Sequence, residues 1–192
     1  MSLSIIIGPM FSGKTWRLIK TFHRVKKEEG KKVAVLNYSA DTRYGENVLS
    51  THNQIKIPCL MVTQLSDIWL NQEHPNYSEV RKANMILINE SQFFQDLEIV
   101  VFDMVETHGK EVEIYGLDGT YTRGTFNNGM IFKLMPYADH IEKLQGQCSQ
   151  CPNKSSFTHR VTKEREDIVI GGADKYIPVC RICYQRLNSC DL

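Results

Sequence analysis

Residues 8–15 read Gly-Pro-Met-Phe-Ser-Gly-Lys-Thr, and their neighbours on each side constrain the fold more than any other feature of the chain. Before them lies Leu-Ser-Ile-Ile-Ile (3–7), a short apolar run rich in β-branched residues that reads as a buried strand. After them Leu18, Ile19, Phe22 and Val25 recur at helical spacing over 15–29, and Gly30 is a C-cap candidate. Residues 32–38 read as a second strand. Strand, helix and strand within about 35 residues make a βαβ unit, so the sheet is expected to be parallel.

The pattern Gly8-x-x-x-x-Gly13-Lys14-Thr15 fits G-x-x-x-x-G-K-[ST] without exception and sits in the strand–helix context that the pattern requires. Its chemistry follows from the residue types. Glycines let backbone N–H groups turn inward around phosphate oxygens, and the helix N-terminus adds partial positive charge. Lys14 is placed to reach the β- and γ-phosphates, and the Thr15 hydroxyl to ligate Mg²⁺.

Further along, 55–62 reads as a short strand, and 64–71 and 77–83 as short helices. Residues 85–88 read as a third buried strand, 97–108 as an amphipathic helix closed by Gly109, and 111–117 as a fourth strand. At the end of the third strand stand Asn89 and Glu90. Loop proteins of this kind use a carboxylate near there to help hold Mg²⁺, and Glu90 can act as a general base toward an acceptor hydroxyl. Phe93 and Phe94 read either as paired core or as a platform for a flat substrate. Asp41 and Arg43 leave the end of the second strand, where ligands of open α/β sheets bind; they read equally as a turn with a local ion pair.

Past about residue 140 the periodic helices stop and Cys, Gly and Lys content rises, which places a domain boundary near 141–147. Cys148-x-x-Cys151 and Cys180-x-x-Cys183 form a zinc signature, although their separation exceeds the tightest templates. Four thiolates close a tetrahedral shell, so such a zinc is structural. Cys59 and Cys190 read as plain thiols. The loop between the pairs holds Thr158 and Gly171-Gly-Ala-Asp-Lys-Tyr176, and a tethered loop of this kind can cover a substrate.

With 23 Lys plus Arg against 22 Asp plus Glu, the chain offers no bulk charge for nucleic acid or an acidic membrane. Lys26, Lys27, Lys31 and Lys32 read as a solvated helix end and its turn. No apolar run approaches the ~20 residues of a membrane span. The first residues lack the basic region of a signal peptide, so a cytoplasmic protein is expected.

Five segments together resemble the type II thymidine kinases, the small zinc-containing class. They are Gly8–Thr15, Asp41-Thr-Arg-Tyr44, Glu90-x-Gln-Phe-Phe94, Leu117-Asp-Gly-Thr120, and Gly171–Tyr176 followed by Cys180-x-x-Cys183. The resemblance implies a P-loop, RecA-like α/β domain over 1–143 and a zinc-binding domain over 144–192 with a substrate-covering loop. It implies transfer of the γ-phosphate of ATP, with Mg²⁺, to the 5′-hydroxyl of thymidine, deoxyuridine being a plausible second acceptor. Glu90 matches the catalytic base. Gly8, Pro9, Met10, Phe11, Ser12, Gly13, Lys14, Thr15, Asp41, Arg43, Asn89 and Gln92 match positions that bind ATP and its phosphates. Met10, Phe93, Leu117, Tyr121, Thr158, Val169, Gly171 and Tyr176 match those around the nucleoside. Cys148, Cys151, Cys180 and Cys183 match the zinc ligands. A homotetramer inhibited by thymidine triphosphate is also implied. Asn89 departs from the family pattern, which has Asp there. Two other readings stand beside this one: a phosphate-loop transferase or ATPase with another acceptor, and a nucleotide sensor without turnover, which only Asn89 supports.

Overall fold

The computed structural model describes residues 1–28, 30–39, 47–51, 54–164, 166, 169 and 171–189. The first strand, β1 (Ser2–Gly8), runs into the glycine loop and then α1 (Lys14–Glu28). β2 (Val33–Tyr38) follows. The segment expected as one strand over 55–62 is split at Cys59. β3 (Val48–Ser50) pairs antiparallel with β4 (Lys56–Pro58), and β5 (Leu60–Val62) joins β2 instead. Pro58 has no N–H to donate and Cys59 is buried, so the chain changes partners there. Then come α2 (Leu65–Trp69), α3 (Tyr77–Lys82), β6 (Met85–Asn89) and α4 (Leu97–Phe102). α4 widens into a π-turn over Asp103–Thr107, where Asp103 accepts from the Trp69 indole at 2.7 Å. β7 (Glu111–Leu117), α5 (Met130–Lys133) and β8 (His140–Lys143) complete the large layer.

The sheet order is β5-β2-β6-β7-β1-β8, and every neighbouring pair is parallel. Both faces are covered, which is why β1, β2 and β6 read as near-continuous apolar runs. Ile6, Val35, Leu87 and Tyr115 face α1, against Leu18, Ile19, Phe22 and Val25. Leu3, Ile5, Leu36, Ile86, Ile88 and Ile114 face the other way, against Leu65, Trp69, Leu97, Val101 and Met104. Most of these side chains are fully buried, each stabilising by about 1.5–3 kcal/mol relative to exposure.

Beyond β8 the chain forms β9 (Gly146–Gln147), β10 (Lys154–Ser155), β11 (Phe157–Arg160), β12 (Tyr176–Val179) and α6 (Arg181–Asn188). β9 pairs with β10 and β11 with β12, both antiparallel. Their core is small: Cys148, Val179, Cys180, Cys183 and Tyr184, with Phe157, Ile177 and Leu187 packed against it. No helix among the described residues is long and apolar enough to cross a membrane.

Candidate active site

Parallel registry brings the carboxyl ends of three strands together. Gly8 of β1 lies beside Leu117 of β7, and Ile88 of β6 beside Ile114. The glycine loop, the Glu90 turn and the Leu117–Thr120 segment therefore share one edge of the sheet.

The loop is held from inside and from outside. Lys14 Nζ donates to Gly8 O (2.9 Å) and Pro9 O (2.8 Å), and Arg17 N donates to Gly13 O at 2.9 Å. The loop turns through positive φ at Phe11 and Gly13. Burial lowers the Lys14 amine to about 8, against the opposing pull of Glu90 and Asp118. Asp118 itself pairs with Lys143 at 2.6 Å. From outside, Met10 N donates to Thr158 Oγ1 at 3.0 Å. A Cβ at Gly146 would stand 2.8 Å from Phe11 O, so only glycine lets β9 lie this close to the loop. Thr15 sits in the first turn of α1. The Ser12 hydroxyl is buried with no hydrogen-bond partner among the described residues, which suits an incoming acceptor oxygen at the loop.

Glu90 adopts a left-handed conformation (φ 52°, ψ 37°) at the start of a 3₁₀ turn over Ser91–Phe93. Gln92 is buried. Its amide is committed to protein groups: Nε2 donates to Glu90 Oε2 at 2.6 Å, and Leu117 N donates to Oε1 at 3.0 Å. Phe94 is fully buried core. Phe93 is half-buried, 5.2 Å from the Tyr38 ring and 5.8 Å from the Phe126 ring. The structure thus divides the two aromatics, and Phe93 is the one open to a planar ligand.

Asn89 follows Leu87 with strand periodicity and so lies on the α1 side of the sheet. It is opposite Asn37 in register, and its Nδ2 donates to Asn37 Oδ1 at 2.8 Å. The expected partners Asp41 and Arg43 lie outside the described residues.

Sequence reasoning missed Arg160, which ties together described residues of the segment between β11 and β12. Arg160 is buried, with its guanidinium 3.9 Å from the Tyr121 ring centroid and 5.3 Å from that of Tyr176. It donates to Glu164 O (3.0 Å), Glu166 O and Tyr176 Oη (2.8 Å), and Tyr176 Oη donates to Val169 O at 2.7 Å. Tyr184 Oη reaches Tyr121 O at 2.7 Å, so α6 also braces this wall. Tyr121, Val169 and Tyr176 are thereby brought into one cluster. Gly171 packs beside the Lys175 side chain, and Lys175 pairs with Glu164 at 2.8 Å. The only signal in the sequence was an Arg two residues after Thr158 in an alternating strand.

The four cysteine sulfurs all lie within 4.8 Å of one another. Cys151 Sγ is 3.6 Å from both Cys180 Sγ and Cys183 Sγ. A Zn–S bond of ~2.3 Å in a tetrahedron places sulfurs about 3.8 Å apart, so the cluster can bind zinc. Burial opposes a thiolate at Cys148, yet the N–H groups of Cys180 and Gln150 outweigh it and bring the thiol down to about 6. Burial and the neighbouring sulfurs push Cys183 up to about 12. Four thiolates at this spacing need a cation among them. Cys59 is a buried core thiol, and Cys190 lies outside the described residues.

A glycine loop at a strand–helix junction, with a carboxylate presented beside it from the same sheet edge, defines a phosphate-loop phosphotransferase. The thymidine kinase family model matches residues 1–184. A thymidine kinase of Oryza sativa subsp. japonica is 38% identical, covering 95% of this chain and 65% of its own length. One from Yaba monkey tumor virus is 36% identical, covering 97% and 96%. The cytosolic thymidine kinase of Gallus gallus is 38% identical, covering 97% and 80%. Domain III from the Thermotoga maritima replication initiation protein DnaA overlays 74% of this chain and 54% of its own at TM-score 0.44 and 17% identity, and adds nothing to the assignment. The chain belongs to the thymidine kinase family, and so to the ATP-dependent nucleoside kinases, which are transferases.

Proposed function

We propose that the chain transfers the γ-phosphoryl group of ATP to the 5′-hydroxyl of thymidine, giving thymidine monophosphate for DNA precursor synthesis. The observation that carries this reading is Glu90 at the carboxyl end of β6, near enough to Lys14 to favour its charged form and opening the turn that carries the half-buried Phe93. The backbone of residues 8–15 would cradle the phosphates. Lys14, drawn off the carbonyls of Gly8 and Pro9, would neutralise β- and γ-oxygens; a bound anion favours its charged form. Glu90 would accept the 5′-hydroxyl proton as the oxygen attacks. The base would lie against Phe93, with Met10, Leu117, Tyr121, Thr158, Val169, Gly171 and Tyr176 around the nucleoside and Arg160 fixing that wall. Asp41 and Arg43, outside the described residues, are assigned to the 5′-hydroxyl and phosphates by family likeness alone.

Mg²⁺, accompanying ATP, would be held by the Thr15 hydroxyl, with Asn89 behind a bound water, and would supply charge neutralisation at the phosphates. Zinc would be structural, held by the four cysteines. The division into 1–143 and 144–192 is part of the reading, since β8 ends at Lys143 and the small core lies wholly beyond it. The homotetramer and inhibition by thymidine triphosphate rest on family likeness alone. A cytoplasmic place is supported by relatives named as cytosolic.

The deciding assay offers labelled ATP with thymidine, deoxyuridine or deoxycytidine. Thymidine is expected to give its monophosphate and deoxycytidine little product. Equal labelling of all three, or binding without turnover, overturns the proposal.

Asn89 yields a second expectation. An amide in place of a carboxylate leaves the metal-facing position uncharged. In Asn89→Asp the Asn37 amide can rotate to donate instead of accept, so the carboxylate is accommodated. The Mg²⁺ concentration for half-maximal activity should fall at least about three- to tenfold, since about 1 kcal/mol is the low, water-screened end of what one added charge near the metal contributes. An unchanged Mg²⁺ titration removes Asn89 from the metal's surroundings.

A further inference from the structure

We propose that Gln92 is a positioning residue, which aims the Glu90 carboxylate through its side-chain amide and is not itself a phosphate ligand. This rests on Glu90 being the base.

The amide's orientation is fixed by chemistry. Leu117 N–H is a donor and lies 3.0 Å from one end of the Gln92 amide. That end must be the oxygen. The NH₂ end then faces Glu90 Oε2 at 2.6 Å and donates to it. Two strand ends, β6 and β7, are thus joined through one side chain, which links Leu117 N–H to the Glu90 carboxylate. The terminal torsion of a glutamate is soft, so a carboxylate without such a bond samples a broad arc.

The surroundings over-determine this arrangement. A left-handed Glu90 costs of order 1–3 kcal/mol and persists only where neighbours enforce it. Ser91 Oγ donates to Tyr115 O at 2.9 Å. Asn127 Nδ2 donates to Gln92 O at 2.9 Å, with Asn127 and Asn128 themselves at positive φ. Gly116 makes room for the turn. A Cβ there would stand 2.5 Å from Ser91 Oγ, 2.6 Å from Ile131 Cδ1 and 3.0 Å from Gln92 Oε1. A buried amide whose two ends are already taken by a backbone N–H and a carboxylate is poorly placed to serve nucleotide.

The test is Gln92→Glu. It keeps the length of the side chain and an acceptor for Leu117 N–H, while the donor to Glu90 is lost and a negative charge stands in its place. The expected result is a kcat about 10–10²-fold lower, the scale of a misaimed catalytic group, with KM for ATP and thymidine changed less than threefold. Lowering the pH from 8 to 6 should recover part of the loss relative to the parent protein, as the new carboxyl gains a proton and becomes a donor. A merely structural role would not move that ratio. Gln92→Met, similar in volume and with neither polar end, is the second variant should Gln92→Glu not fold, and is expected to lower kcat with KM retained. Parental kcat in the folded variant, or a loss expressed wholly in KM for ATP, overturns the proposal. Glu90→Gln in the same assay separates the two ideas. If it is inactive while Gln92→Glu is fully active, only the positioning role falls; if Glu90→Gln is fully active, the base assignment falls with it.

Discussion

Glu90→Gln is expected to lower kcat by about 10²-fold or more, within the 10²–10⁴ range typical of a lost general base, while ADP affinity by calorimetry changes little. The lower end is favoured because phosphoryl transfer passes through a loose transition state and leans mainly on positioning and charge. The substitution isolates the proton transfer well. Gln has the size of Glu, tolerates the same left-handed backbone at similar cost, and its carbonyl oxygen can still accept from Gln92 Nε2. What disappears is the capacity to take a proton. Lys14 loses one of the two charges that favour its ammonium form, but the Asp118 interaction remains. Turnover at the parental rate would remove Glu90 from the chemistry.

Loss of zinc is expected to have the other large effect. Among the described residues of 144–192 the buried core cluster has five members, two of them side chains other than cysteine. A unit of that size does not hold itself together without a staple. Structural zinc contributes apparent binding energies of about 10–16 kcal/mol in small zinc modules, more than the net stability of most domains. Cys180→Ser, or exhaustive chelation, should therefore unravel this part of the chain first. Thr158 then leaves Met10, Tyr184 leaves Tyr121, and the loop ordered by Arg160 loses its base on β11 and β12. Thymidine phosphorylation should drop to near background while α1 and the large sheet keep their secondary-structure signal. Elemental analysis should find one zinc per chain. A fully folded, fully active protein without metal would contradict both the site and its role.

The glycine loop, the first βαβ unit, β6, β7 and the four cysteines could be read from sequence because each is local: a spacing, a period, or a run of β-branched residues. What escaped was tertiary. β8 has mostly exposed side chains and no apolar alternation, so nothing in His-Ile-Glu-Lys announces the sixth strand of a parallel sheet. The break at Cys59 depends on β5 finding β2, an event distant in sequence. Arg160 looks like a solvated strand residue until the rings of Tyr121 and Tyr176 are found close to its guanidinium. A polar residue after Glu90 gives no hint that Leu117 N–H lies against the Gln92 amide. Of the two aromatics, only packing decides that Phe94 is core and Phe93 is not. Asp41 and Arg43 fall outside the described residues, so their roles rest where the sequence left them.

The position of β1 has a consequence for how the protein is made. Its seven residues leave the ribosome well before both its sheet partners, β7 and β8, which lie more than a hundred residues downstream. At about 5–20 residues per second, the strand waits on the order of ten seconds for neighbours. Throughout that interval Leu3, Ile5, Ile6 and Ile7 have two open hydrogen-bonding edges and no core. ATP cannot rescue the nascent chain, because the loop it would grip takes its shape from strands not yet synthesised. Such long-range closure predicts slow folding and an early dependence on holding chaperones, with the nucleotide useful only to the finished molecule.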